Sequence, residues 1–245
     1  MKRYPHCDVD ALEEMLRSAP PSRKRGLVTE SVFSMDGDLA PLDKIAALAK
    51  KYDCLFMVDE AHALGVLGEN GKGGAEHFGI EGKIDIQMGT LSKAIGTMGA
   101  YVCGSKDMTS FLLNKARSFI YTTAMPPAVA CAAREGLSLI ENEPQRRRKL
   151  WENTDFFREG LKEAGFDTLN SRTPIIPLAI GDASRAFEFS QKLFKRGIFV
   201  PAIRPPTVPV NTARLRISLT AAHQRKHLEE TLEQIKSIGG DLCLI

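Results

Sequence analysis

No two of the five cysteines, at positions 7, 54, 103, 131 and 243, form a C-x-x-C pair. An odd count without metal spacing argues against a disulfide framework and against a zinc site. Cys54, Cys103 and Cys131 lie in apolar runs and are expected to be small buried hydrophobes in a reducing compartment. No apolar run reaches membrane-spanning length, and the N-terminus, MKRYPHCDVD, has no apolar signal core. The expected location is therefore cytoplasmic, with no membrane partner. Charge of one sign is scarce as well: 33 Lys+Arg against 30 Asp+Glu leave +3, too little to imply nucleic acid. Also missing is the G-x-x-x-x-G-K-[ST] loop that cradles phosphates. Its nearest approximation, GVLGENGKG at 65–73, has one residue too many and lacks the Ser/Thr. It also follows the acidic tetrapeptide Asp59-Glu60-Ala61-His62, whereas a nucleotide motor needs it upstream. The D-E-A-H letters therefore serve some other chemistry.

What is present is an ordinary globular composition, 43% hydrophobic and 26% charged over 245 residues, enough for one large or two modest domains. Residues 8–18 have helical apolar spacing with Asp8 placed as the cap. After the charged stretch 22–26, GLVTESVFS reads as a strand ending near Ser31, and PLDKIAALAKKY as a helix with Pro41 in its first turn. CLFMVDEAH is an apolar run followed by abrupt polarity, the pattern of a strand buried on both faces of a parallel sheet as it emerges at its carboxyl edge. IDIQMGT (84–90) and AYVCGS (100–105) read as two more such strands. SKDMTSFLLNKARS and PPAVACAAREGLSLIENE read as helices.

This alternation predicts an α/β domain over 1–143 with a large, mostly parallel sheet. The basic run at 144–149 opens a long amphipathic helix with a solvated face. A smaller α+β domain over 144–245 follows, with strands at PIIPLAIG, IFVPAI and RLRISL.

Thirty-one residues beyond His62 comes GTLSKAIG (89–96), which places Lys93 just past a strand end. Lysine there is costly to bury unless it is paired, neutralised or covalently used. Apolar neighbours Ala94, Ile95 and Gly96 would favour a nucleophilic amine; a plain surface lysine is the other reading. Asp59 ends another strand, so both side chains can reach one crevice at the carboxyl edge, where open α/β sheets place ligands. A Schiff-base lysine with a carboxylate to hold a pyridinium N–H is the protein half of pyridoxal-phosphate chemistry. His62 can donate to the ring's phenolic oxygen or stand as a satisfied core histidine.

TESVFSMDGDLAPL, VDEAHALGVLGENGKG, GTLSKAIG, YTTAMPP and AIRPPTVPVNTARLRISLTAAH together resemble the α-oxoamine synthases, pyridoxal-phosphate enzymes of aminotransferase fold type I. IRPPTVP followed by TARLR is most similar to the branch that condenses L-alanine with a pimeloyl thioester (coenzyme A or acyl carrier protein) in biotin biosynthesis. The glycine- and serine-using branches, and a non-catalytic dimer partner, are the alternatives. The resemblance implies pyridoxal 5'-phosphate attached to Lys93, with Asp59 on the pyridine nitrogen and His62 and Ser34 on the O3' side. It further implies Thr90 as a phosphate-binding hydroxyl. Thr122 and Thr123 would serve the phosphate of a neighbouring subunit in a homodimer with shared sites, and Arg204 would grip the amino-acid carboxylate. Lys93, His62 and Asp59 are the implied catalytic set; no metal is implied.

Family members carry a substantial stretch before the segment that RYPHCDVDALEEML resembles, containing a glycine-bearing phosphate loop and a ring-stacking histidine. His6-Cys7-Asp8 also departs from the family's His-Asn-Asp. The expectation is an incomplete large domain with exposed sheet edges and apolar faces, and weak cofactor binding and poor turnover by this chain alone.

Overall fold

The computed structural model describes residues 1–20 and 24–245. Ser22 and Arg23 of the charged stretch lie outside the described residues. The chain divides into two compact units, Met1–Val32 with Ala40–Pro144, and Phe33–Leu39 with Gln145–Ile245.

In the first unit, α1 (Val9–Arg17) is capped by Asp8, whose carboxylate accepts from the Ala11 N–H at 2.8 Å. Strands β1 (Arg25–Glu30), β2 (Cys54–Asp59), β3 (Ile86–Thr90) and β4 (Ala100–Gly104) form one sheet in chain order. β1, β2 and β3 run parallel, and α2 (Leu42–Lys51) makes the β1–β2 crossover. Leu42, Ile45, Ala46, Leu48 and Ala49 of α2 are buried, as are Leu27, Phe56 and Val58 of the sheet.

Two strand expectations need correction. AYVCGS is not another buried parallel strand: β4 pairs antiparallel with β3, Met88 opposite Val102, and is largely exposed. The nine residues 91–99 between the two strands return the chain directly, and only an antiparallel partner can be reached that way. Cys103 on β4 and Cys131, which lies in the helical segment 127–142, are both exposed, and only Cys54 of the three is buried. β2 is likewise not buried on both faces. Register puts Val28 beside Met57 and Gly26 beside Leu55 on one side, where Val28 is 61% and Leu55 39% exposed. The opposite side carries the buried Leu27, Phe56 and Val58. The bare apolar face implied by the resemblance is thus present.

Beyond β4, α4 (Lys106–Lys115) stops where Ala116 takes an extended conformation, and a short α5 (Arg117–Ile120) precedes α6 (Pro127–Asn142). A single turn, α3 (Gly74–His77), lies between β2 and β3.

The second unit is built on α7 (Pro144–Glu163), β5 (Ile175–Gly181), α8 (Ala183–Lys195), β6 (Ala202–Ile203), β7 (Ala213–Ser218) and α9 (Arg225–Asp241). β7 is central and antiparallel to both neighbours. Phe157, Leu161, Ile176, Leu178, Phe189, Leu193, Leu215 and Ile235 form its fully buried core. IFVPAI yields only the two-residue β6: Pro201 has no N–H for a ladder, and Phe199 is exposed. The segment 33–39 is fastened to this unit. Arg214 pairs with Asp36, Arg216 Nε donates to the Ser34 carbonyl at 2.5 Å, and Thr173 Oγ1 donates to the Gly37 carbonyl at 2.9 Å. Gly37, at φ +67°, lies where a Cβ would meet the Ile175 carbonyl oxygen at 1.9 Å, so no other residue fits.

Candidate functional site

Parallel pairing of β2 with β3 sets the geometry at their carboxyl ends. Asp59 stands beside Met88, and the Glu60 N–H donates to the Met88 carbonyl at 2.7 Å. Thr90, two residues on, shares the sheet face of Asp59. Both are half-buried. Asp59 Oδ1 accepts from the Ala61 N–H at 2.8 Å, which fixes the carboxylate's orientation, and Oδ2 has no partner among the described residues.

Glu60 does different work from its neighbour. It is 2% exposed, and its two oxygens accept from the Gly74 and Ala75 N–H groups at 2.8 and 3.0 Å. The glycines at 73 and 74 let the carboxylate come this close, since a Cβ at either would press against Glu60. The second acid of D-E-A-H is therefore a structural tie that closes the 60–75 loop. Glu60→Ala is expected to lower the unfolding free energy by about 2–6 kcal/mol, because two buried N–H groups lose their acceptor. Chemical denaturation measures this, and an unchanged midpoint would show that the tie is unimportant. His62 lies half-buried in the turn that follows.

Lys93 occupies the loop joining β3 to β4. The Thr97 N–H donates to the Leu91 carbonyl at 2.8 Å and the Gly96 N–H to the Lys93 carbonyl at 3.0 Å, giving a tight turn. Leu91 and Ile95 are buried, while Ser92, Lys93, Ala94 and Gly96 are exposed. The apolar enclosure expected around Lys93 is absent among the described residues: Leu91 and Ile95 are buried, and Lys93 is not. The D-E-A-H turn and the lysine turn are brought together, for a Cβ on Gly65 would meet the Ala94 Cβ at 2.8 Å. Leu64, Tyr101 and Ile140 pack on Leu91, Ile95 and Ala133 beneath.

Two polar groups here were not foreseen. Ser92 Oγ lies 2.8 Å from Thr90 Oγ1, which also donates to the Gly99 carbonyl at 3.2 Å. The Thr90 hydroxyl is thus already engaged, and Ser92 offers the exposed one. Tyr101 has its phenol pressed over Gly89, and burial pushes its pKa up to about 12, with Cys103, Glu60 and Asp59 adding to the rise. The T-x-S spacing was a usable signal for Ser92; nothing local marked Tyr101.

Thr122 and Thr123 stand exposed in the loop joining α5 to α6. Ser34 and Arg204 belong to the second unit. Ser34 is half-buried within the fastened 33–39 segment. Arg204 is exposed, and its guanidinium lies 5.0 Å from the centre of the Phe187 ring, a cation–π arrangement.

These residues suit pyridoxal 5'-phosphate. An exposed primary amine follows one strand end, an oriented carboxylate with an open oxygen ends the neighbouring strand, and the Thr90 and Ser92 hydroxyls precede the lysine. No described helix is long and apolar enough to cross a membrane.

The family model for class I and II aminotransferases matches residues 1–235. An 8-amino-7-oxononanoate synthase from Lysinibacillus sphaericus is 48% identical over 242 residues, covering 99% of this chain and 62% of that protein. One from Geobacter sulfurreducens is 47% identical over 245 residues, covering 99% and 63%. Among solved structures, SPT with the PLP internal aldimine superposes with a TM-score of 0.95 at 33% identity, covering 99% of this chain and 62% of that one. The chain thus spans a little over three-fifths of the length of the proteins it matches.

Proposed function

The chain belongs to the class I and II aminotransferase family, and from that premise we propose that it serves the decarboxylative condensation of L-alanine with a pimeloyl thioester to 8-amino-7-oxononanoate. The observation that carries this reading is the placing of two groups at the ends of neighbouring strands: the exposed Lys93 after β3 and the oriented Asp59 carboxylate, with Oδ2 open, at the end of β2. Identity of 47–48% with named synthases supports the branch.

Pyridoxal 5'-phosphate, when bound, supplies a ring that delocalises the electron pair left on the amino acid's Cα. Lys93 Nζ would hold the cofactor covalently and would take the Cα proton of L-alanine. Asp59 Oδ2 holds the proton on the ring nitrogen. His62 and Ser34 would orient the O3' side, and the Thr90–Ser92 hydroxyl pair, Ser92 being the exposed member, would bind phosphate oxygens. Arg204 grips the substrate carboxylate with a planar two-pronged donor. The new C–C bond forms at the thioester carbonyl, the thiol leaves, and the β-keto acid loses CO₂. Thr122 and Thr123 lend hydroxyls to the phosphate of a neighbouring subunit, so the working species is a homodimer in the cytoplasm.

The close superposition on SPT supports a second reading, a serine-using enzyme. Exchange of the Cα hydrogen in D₂O, followed by NMR with pyridoxal phosphate present, separates the two. L-alanine is expected to exchange roughly tenfold or more faster than glycine or L-serine. Faster exchange of L-serine would overturn the alanine assignment.

A further inference from the structure

The turn that carries Lys93 rests on a slot cut by two glycines. On α6, Ala133, Gly136 and Ile140 share one helix face, and that face lies under residues 91–96. Gly136 is buried against the backbone of Ile95: a Cβ there would meet the Ile95 carbonyl oxygen at 2.6 Å, its Cγ2 at 2.8 Å and its Cα at 3.2 Å. From the other side, a Cβ on Gly65 would meet the Ala94 Cβ at 2.8 Å and the Ile140 Cδ1 at 3.3 Å. Both residues that follow Lys93 are therefore in contact with positions where only a hydrogen fits. The contact at Ile95 is to backbone, which cannot swing aside as a side-chain tip can.

We propose that Gly136 is a positioning residue for Lys93, setting how deeply the 91–96 turn seats and hence where the amine stands relative to Asp59. Helix propensity alone would favour alanine over glycine in the middle of α6. What outweighs that preference is the close approach of the Ile95 backbone. A side chain at 136 lifts Ile95, and with it the Lys93 backbone two residues earlier, while the amine itself touches neither glycine. The inference rests on the reading of Lys93 as the cofactor-binding amine, and its test separates the two.

The test uses the full chain with pyridoxal 5'-phosphate as the probe. The carbon–nitrogen link is reduced with borohydride, and the modified Lys93 peptide is quantified by mass spectrometry across a concentration series. Gly136→Ala is expected to require about tenfold more cofactor for half-maximal labelling, because small misplacements of a reacting group are costly. Its dichroism should match the parent chain, while overpacking against Ile95 lowers its melting temperature. Ala94→Gly, which removes the methyl that Gly65 meets and adds no bulk, is expected to weaken labelling severalfold and decides the matter if Gly136→Ala does not fold. Gly240→Ala makes the same chemical change on α9, where a Cβ meets nothing within 4 Å, and should leave labelling unchanged. Folded Gly136→Ala and Ala94→Gly chains that label like the parent would overturn the positioning role alone. A parent chain labelled at other lysines but not at Lys93 would overturn the reading beneath it as well.

Discussion

Lys93→Ala is expected to abolish covalent retention of pyridoxal 5'-phosphate and to lower Cα proton exchange of L-alanine by at least about 10⁴-fold, the upper range for a positioned acid–base group. The size follows from two roles carried by one atom. On the proposed reading Nζ both anchors the cofactor and, when freed, moves the Cα proton, so no neighbouring group inherits either task. Lys93→Arg should fail almost as badly, since it keeps the charge but offers no amine that can form the link. Neither change should unfold the protein. Lys93 is exposed, and substitutions at such sites usually stay within about 0.5 kcal/mol. Borohydride labelling gives the direct readout: a Lys93→Ala chain that still takes up one cofactor per active site would place the attachment elsewhere.

Asp59→Asn is the second large effect. Asn keeps an oxygen for the Ala61 N–H, so the local turn survives, but the negative charge is gone. A unit charge about 4 Å from the ring nitrogen is worth about 4 kcal/mol at an effective dielectric near 20, or roughly 10³-fold in proton affinity. The exchange rate should fall by roughly that factor at neutral pH. The pH dependence has a definite sign. Without Asp59 the ring-nitrogen proton must come from solvent, so the deficit narrows as pH falls and widens as it rises. Asp59→Asn at full activity across the pH range would remove Asp59 from the role, whatever its place in the sheet.

The same local stretches were read with very different success. Asp8 as a cap, α2, α6 and the emergence of β2 at Asp59 were legible because each depends on periodicity or on one side chain meeting nearby backbone. β4 was misread because an apolar run looks alike whether it enters a sheet parallel or antiparallel. What decides is the length of the connection, and residues 91–99 are too few for a crossover. Lys93 was placed just past a strand end, as it is, yet its surroundings were misjudged, since the turn buries Leu91 and Ile95 and leaves Lys93 exposed. Glu60 was indistinguishable from a catalytic acid in D-E-A-H. Its partners, Gly74 and Ala75, lie fourteen and fifteen residues away and meet it only after the loop has closed.

By itself the sequence determined the fold class and the placing of Asp59 and Lys93 at two strand ends, because these follow from residue type and short-range order. Only the tertiary structure decided that Glu60 braces its loop, which sheet face stays bare, and that Gly65 and Gly136 lie close against the residues after Lys93. Those outcomes depend on close approaches between residues far apart in the chain, and no local pattern encodes such distances.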